Sequence, residues 1–271
     1  MFGEPRRLGT ASDEYEVLTR RRSCAGTDIL QDLELWHSEG DCLVHYYTLG
    51  HSGRGPSLKL PLAAIETLGC ERLLEDHGRK QDSCSSASNA SQSSPTSSIS
   101  SRASFDASGV NHELYIPAPA NLSREDAFKY HLTTRNFFAW ALGKPLVGDS
   151  LGSSLIDLLE RINKYRSDQK ENLEDVVSYI DSQEYSDFRE CPDHALAVLQ
   201  FAERFELQDL WTDAFVHCVG MYNELASSGE YEVSSSVLCR DVRQRVDIVT
   251  SRFRELQRHS LPGLILKWIY G

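Results

Sequence analysis

Thirteen of the 26 residues between positions 83 and 108 are serine, and no other feature of the chain limits its fold so strongly. A stretch this polar buries too little apolar surface to offset the entropy lost on folding, so the sequence predicts a disordered insertion over residues 77–111. Any domain drawn from both sides of it is assembled from two separated segments, 28–76 and 112–225. Loop-closure entropy rises slowly with length, so such an insertion is tolerated. The tract also presents kinase-type sites at SSPT (93–96) and RAS (102–104), where each phosphate would add up to about two negative charges.

Ahead of the tract, residues 1–27 are polar, lack a hydrophobic period and contain Arg20, Arg21 and Arg22, which reads as a solvated tail. From Leu33 the pattern changes. LELW, the turn SEGD and then CLVHYYTL read as a hairpin, with a third strand over 57–60. Glycines 50, 53 and 55 in GHSGRGP match neither GxGxxG nor a phosphate loop with its Lys-Ser or Lys-Thr pair, so this segment reads as a strand connection. Leu62, Ile65, Leu68 and Leu73 then recur at helical intervals, with Gly69 as a bend.

Beyond the tract, ELYIPAP is a short strand that Pro117 and Pro119 must end. The next stretch, SREDAFKYHLTTRNFFAWALGKPLVG, predicts a buried helix: Ser123 is the N-cap, Asp126 stands at the capping-box position, and Gly143 and Pro145 stop it. Its polar residues His131, Arg135 and Asn136 are candidate structural anchors, because a buried polar group must find a partner. Two amphipathic helices follow, one through Leu155, Leu158, Leu159, Ile162 and Tyr165. The other runs through Leu173, Val176, Val177 and Ile180, with Asn172 as its cap. A helical hairpin starts at Pro192 and breaks near Glu206. Between positions 168 and 213, thirteen acidic residues face only Lys170, Arg189 and Arg204.

The final segment, 226–271, is the electrostatic opposite. Val242, Val246, Val249, Phe253 and Leu256 follow a near-heptad spacing over about 236–259, flanked by Arg240, Arg243, Arg245, Arg252, Arg254 and Arg258. An apolar tail, LPGLILKWIYG, follows and needs burial somewhere. The arginines predict docking against the acidic helices of the same chain. The rival reading makes this segment a partner-binding arm with Arg243, Arg252 and Trp268 as contact residues.

Most chemistry is excluded. A net charge of −12 and a pI near 5.2 argue against nucleic acid and anionic membranes as partners. The first twenty residues contain no apolar signal core, and no window approaches a membrane span, so an intracellular protein, cytoplasmic or nuclear, is expected. Seven cysteines without a CxxC pair fit a reducing compartment. Cys191, His194, His217 and Cys218 are the best metal-like set. Their spacing is poor, since adjacent helical residues point about 100° apart. No GxSxG elbow is present. Neither cofactor nor metal nor catalytic residue is expected, and the alternative is an enzyme of unrecognised class with a site assembled in the helical half.

Residues 112–225, with ELYIPAP, SLIDLLERINKYR and CPDHALAVLQFAERFELQDLWTDAFVHCVGM, resemble an uncharacterised family of filamentous-fungal proteins. A weaker similarity is to the BTB/POZ fold. There, 42–60 looks like the strand hairpin, 62–74 the first helices, 113–116 the third strand, 124–142 the next helix and 194–219 the closing pair. The serine tract and the extra helices of 149–190 depart from a minimal BTB domain, and bear on its dimer interface and cullin-binding surface. The resemblance implies a decorated α+β adaptor or scaffold without catalysis, whose partners are other proteins, a second copy or a cullin-type protein among them.

Overall fold

The computed structural model describes residues 32–50, 55–80, 110–189, 191–234 and 236–269, with Lys80, Phe253 and residues 256–269 described by backbone only. The tail 1–27 and the serine tract lie outside the described residues. The rest is a mixed α+β fold, mostly helical, in two units whose boundary falls after His131.

The first unit is organised by a four-stranded sheet. Strand β1 (Cys42–His45) pairs antiparallel with β2 (Leu58–Leu60) and parallel with β4 (His112–Tyr115). A short β3 (Gly78–Lys80) adds to the far edge of β4, giving the order β2-β1-β4-β3. Cys42, Val44, Leu58, Leu60 and Leu114 are all buried, as period-two alternation requires on one sheet face. The hairpin partner of β1 is therefore β2 and not LELW. Asp32 Oδ1 accepts from the backbone of Glu34 at 3.0 Å and Leu35 at 3.4 Å, which turns that segment and leaves only a bridge from Trp36 to Lys59. β3 lies where the insertion was expected to begin. Its residues GRK carry no apolar pattern, and only backbone pairing to β4 makes them a strand. The helical stretch after β2 is two helices, α1 (Leu62–Glu66) and α2 (Glu71–His77), separated by the turn at Gly69.

Helix α3 (Arg124–Ala141) starts as its sequence predicts. Ser123 Oγ accepts from the Asp126 amide at 3.1 Å and donates to the Asp126 carboxylate at 2.7 Å. Its opening turns are not buried, however, and Phe128 is 43% exposed. Only Thr134 to Trp140 are buried throughout. The helix stops at Gly143, in a left-handed conformation with φ 61°, where Lys144 N donates to Ala139 O.

The second unit continues with α4 (Leu151–Tyr165), α5 (Gln169–Ser182), α6 (Pro192–Arg204), α7 (Gln208–Gly220), α8 (Tyr222–Leu225), α9 (Gly229–Val233) and α10 (Ser236–Ile269). The apolar stripe of α4 is buried along its length. Helix α6 lies between α4 and α7, and its residues Ala195 to Leu199, Phe201 and Ala202 are buried. The break before α7 occurs at Glu206, with φ 57°. α5 starts earlier than expected because Asp168 accepts from the amides of Lys170 and Glu171. Asn172, expected as the cap, is instead fully buried inside the helix and donates to Asn163 Oδ1 at 2.8 Å. α10 also exceeds its expected end, running through Pro262 and Gly263 to Ile269.

Candidate interaction surface

Helix α10 has 34 residues, about 50 Å at 1.5 Å per residue. Its root is packed: Leu238, Cys239 and Val242 are buried, where α10 meets α7 and α8. Beyond Val242, every described side chain as far as Glu255 is exposed or half-buried, and this stretch is called the shaft below. Ile248 is 37% and Val249 49% exposed. Arg240, Arg243, Arg245, Arg252 and Arg254 are all exposed, and among the described residues none of them is ion-paired. The expected docking within the chain is thus seen at the root, where α10 meets α7 through apolar side chains, and no ion pair between these arginines and the acidic helices is present among the described residues.

A buried carboxylate in the same unit ties α9 to the start of α4. Glu230 on α9 is 5% exposed and accepts from Ser150 Oγ at 2.8 Å, Leu151 N at 2.9 Å and Gly152 N at 3.0 Å. It completes the N-cap that Ser150 begins on α4 by accepting from Ser153 N, and satisfies amides that a helix start leaves orphaned. Asp193 in turn accepts from Glu230 N at 3.2 Å. Burial raises the Glu230 pKa above its ordinary value, while the three donated hydrogen bonds pull it back down. Gly152 is required here by close approach: a Cβ would lie 2.6 Å from Gln200 Oε1, 3.0 Å from Glu230 Oε1 and 3.1 Å from Ala197 O.

The candidate anchors on α3 do not converge. Arg135 Nη1 donates to Pro145 O at 2.8 Å. Asn136 donates to Val147 O at 2.8 Å and accepts from Val147 N at 3.1 Å. Both therefore fasten the loop that follows their own helix. His131 is half-buried and stacks on Tyr46 with ring centroids 4.9 Å apart. Arg243 and Arg252 lie on the shaft, and the Trp268 side chain lies outside the described residues.

Sequence reasoning missed one polar cluster in the first unit. His45 is 6% exposed, its Nδ1 lies 3.0 Å from the Tyr47 hydroxyl, and its ring stacks on Tyr115 at 4.5 Å. Tyr115 donates to Glu113 Oε2 at 2.9 Å. The signal was available: residues two apart on β4, and His45 beside Tyr115 in a parallel register, share one face. Burial lowers the His45 pKa and raises that of Tyr115, so both rings are held toward their uncharged forms, and the phenol is not activated as a nucleophile. A separate open cleft of about 520 Å³ in the second unit is lined by Ser186, Asp187, Phe188, Arg189, Asp213 and His217. Arg189 Nε pairs with Asp187 at 3.0 Å, and His217 Nε2 lies 3.9 Å from Asp213 Oδ1. Among the described residues no three His, Cys, Asp or Glu side chains are grouped to hold a metal ion, and no helix is long and apolar enough to cross a membrane.

Residues 173–259 match the model of a family described as Domain of unknown function (DUF8004). No curated protein and no solved structure matches the chain. The matched segment runs from α5 into the shaft of α10 and so contains Glu230, the buried root and the exposed valine. Over those residues the chain is similar to an uncharacterised domain family whose description carries no activity.

Proposed function

We propose that this protein is a non-catalytic interaction module, an adaptor or scaffold of BTB type, that engages a partner protein through the shaft of α10. The single observation that carries the reading is the change along that helix, from fully buried Val242 to half-exposed Val249. Exposed Ile248 and Val249 on a helix anchored at one end are the kind of apolar side chains that a helix-in-groove or helix-pairing contact uses. Support for the BTB-type frame is topological: hairpin β1–β2, two short helices, and β4 returning parallel beside β1. The resemblance to fungal proteins over 112–225 overlaps the DUF8004 match and adds no activity to it. Cullin-type partners and self-association belong to this reading.

Affinity capture with the full chain and with Val249→Asp tests it. Recovery of a protein partner by the native chain, and its loss from a variant with unchanged melting temperature, is the expected result. Equal recovery by both would remove α10 as the contact surface. A cullin among the recovered proteins would assign the adaptor role.

A further inference from the structure

The seam on α10 also specifies what it pairs with. Val242, Val246 and Val249 are spaced four and three residues apart, and the sequence repeats that spacing with Phe253 and Leu256. Writing Val246 as heptad position a and Val249 as d puts Cys239 at a and Val242 at d, so the seam starts inside the packed root and passes through half-buried Val246 to exposed Val249. The positions that flank such a seam, e and g, decide partner choice by charge. Here they hold Arg243, Arg245, Thr250, Arg252, Gln257 and His259, without one carboxylate. Asp241, Asp247 and Glu255 all fall on outer positions b and c, away from the flanks.

We infer that the exposed shaft of α10 forms a coiled coil with an amphipathic helix of another protein whose seam is apolar and whose flanking positions are acidic. This deepens the interaction reading above and rests on it. A second copy of the chain is disfavoured on the same grounds, because in either orientation it brings arginine, threonine, glutamine or histidine to the flanks and supplies no counter-charge. These arginines, exposed and without an ion pair among the described residues, are available to pair with acidic flanks. Lys or Arg flanks on the partner would instead place like charges across the seam.

The full chain should be titrated with two labelled peptides, each of four heptads with Ile at a and Leu at d, one with Glu and one with Lys at every e and g. Fluorescence anisotropy is expected to show the Glu peptide binding at least ten-fold more tightly than the Lys peptide, with the margin shrinking as salt rises. Arg243→Glu/Arg245→Glu/Arg252→Glu should reverse the preference, and Val249→Asp should abolish binding of both while circular dichroism stays native. Equal affinity for the two peptides, an unaltered preference in the triple variant, concentration-dependent dimerisation through Val249 in sedimentation, or salt-sensitive binding to duplex DNA would each overturn the inference. If Val249→Asp abolishes capture of the cellular partner but the charge reversal does not, the acidic-helix assignment fails while the interaction reading stands. If Val249→Asp leaves capture intact, the interaction reading itself fails.

Discussion

The root and the shaft of α10 share one helix and one heptad spacing, yet Val242 is fully buried and Val249 is 49% exposed. Their side chains are identical and their seam positions equivalent. Burial is therefore set by what the rest of the chain provides: α7 and α8 meet the root, and the cover falls away from buried Val242 through half-buried Val246 to exposed Val249. A periodic apolar stripe states that a helix has a face to cover, and leaves open whether the cover is in the same chain.

The sharpest way to break the comparison is to put the same charge at both positions. Val242→Asp buries an unpaired carboxylate, and is expected to cost about 3 kcal/mol or more, whereas Val249→Asp stays within about 0.5 kcal/mol of the parent. Thermal and urea unfolding of the two variants measure this, and equal losses would mean that the shaft is covered within the chain. Next in size is Gly152→Ala, at the Glu230 contact. Its methyl would meet backbone and the buried Glu230 carboxylate, for an expected loss of about 1–3 kcal/mol; a glycine-to-alanine change on an open helix surface would instead stabilise slightly.

A pH series sharpens the root side further. Because burial holds the Glu230 carboxyl above its ordinary 4.5, the folded chain keeps this proton to higher pH than the unfolded chain does. The resulting stability is fully present below 4.5 and is lost as pH rises through the folded value. The difference in unfolding free energy between the native protein and Glu230→Gln should therefore fall as pH increases from about 4 to 7, measured by denaturant titration. The smallest effects belong to the shaft. Arg245→Ala and Arg252→Ala are each expected to change stability by less than about 0.5 kcal/mol, since exposed, unpaired charges contribute little to folding.

Much of this fold was legible because it is local. The Ser123–Asp126 cap, the stop at Gly143, the α4 stripe and the break at Glu206 are each written within a few residues of where they act. The errors share the opposite property. LELW looks like a strand, but Asp32 turns it. Asn172 looks like a cap, but Asp168 captures the amides first and Asn172 goes inside. GRK has no strand pattern and is held by β4 alone. Of the candidate site, the arginine flanks and the heptad were readable, while the loss of burial beyond Val242 depends on where α7 and α8 happen to lie. The Glu230 contact, between residues as many as 80 positions apart, leaves no trace in the sequence around either partner.

That long contact has a consequence for synthesis. The start of α4 is translated well before the carboxylate that completes its cap, and at about 5–20 residues per second the interval is roughly 4–16 s. Until that carboxylate is made, the amides of Leu151 and Gly152 lack the acceptor that the folded chain gives them. A fragment trimmed to the 173–259 match keeps Glu230 but discards the helix start it was shaped to receive, leaving a carboxylate whose built-in partners are gone. Boundaries chosen from that match alone would therefore separate Glu230 from the helix start that it caps; a fragment that begins before Ser150 and ends beyond Val242 keeps both.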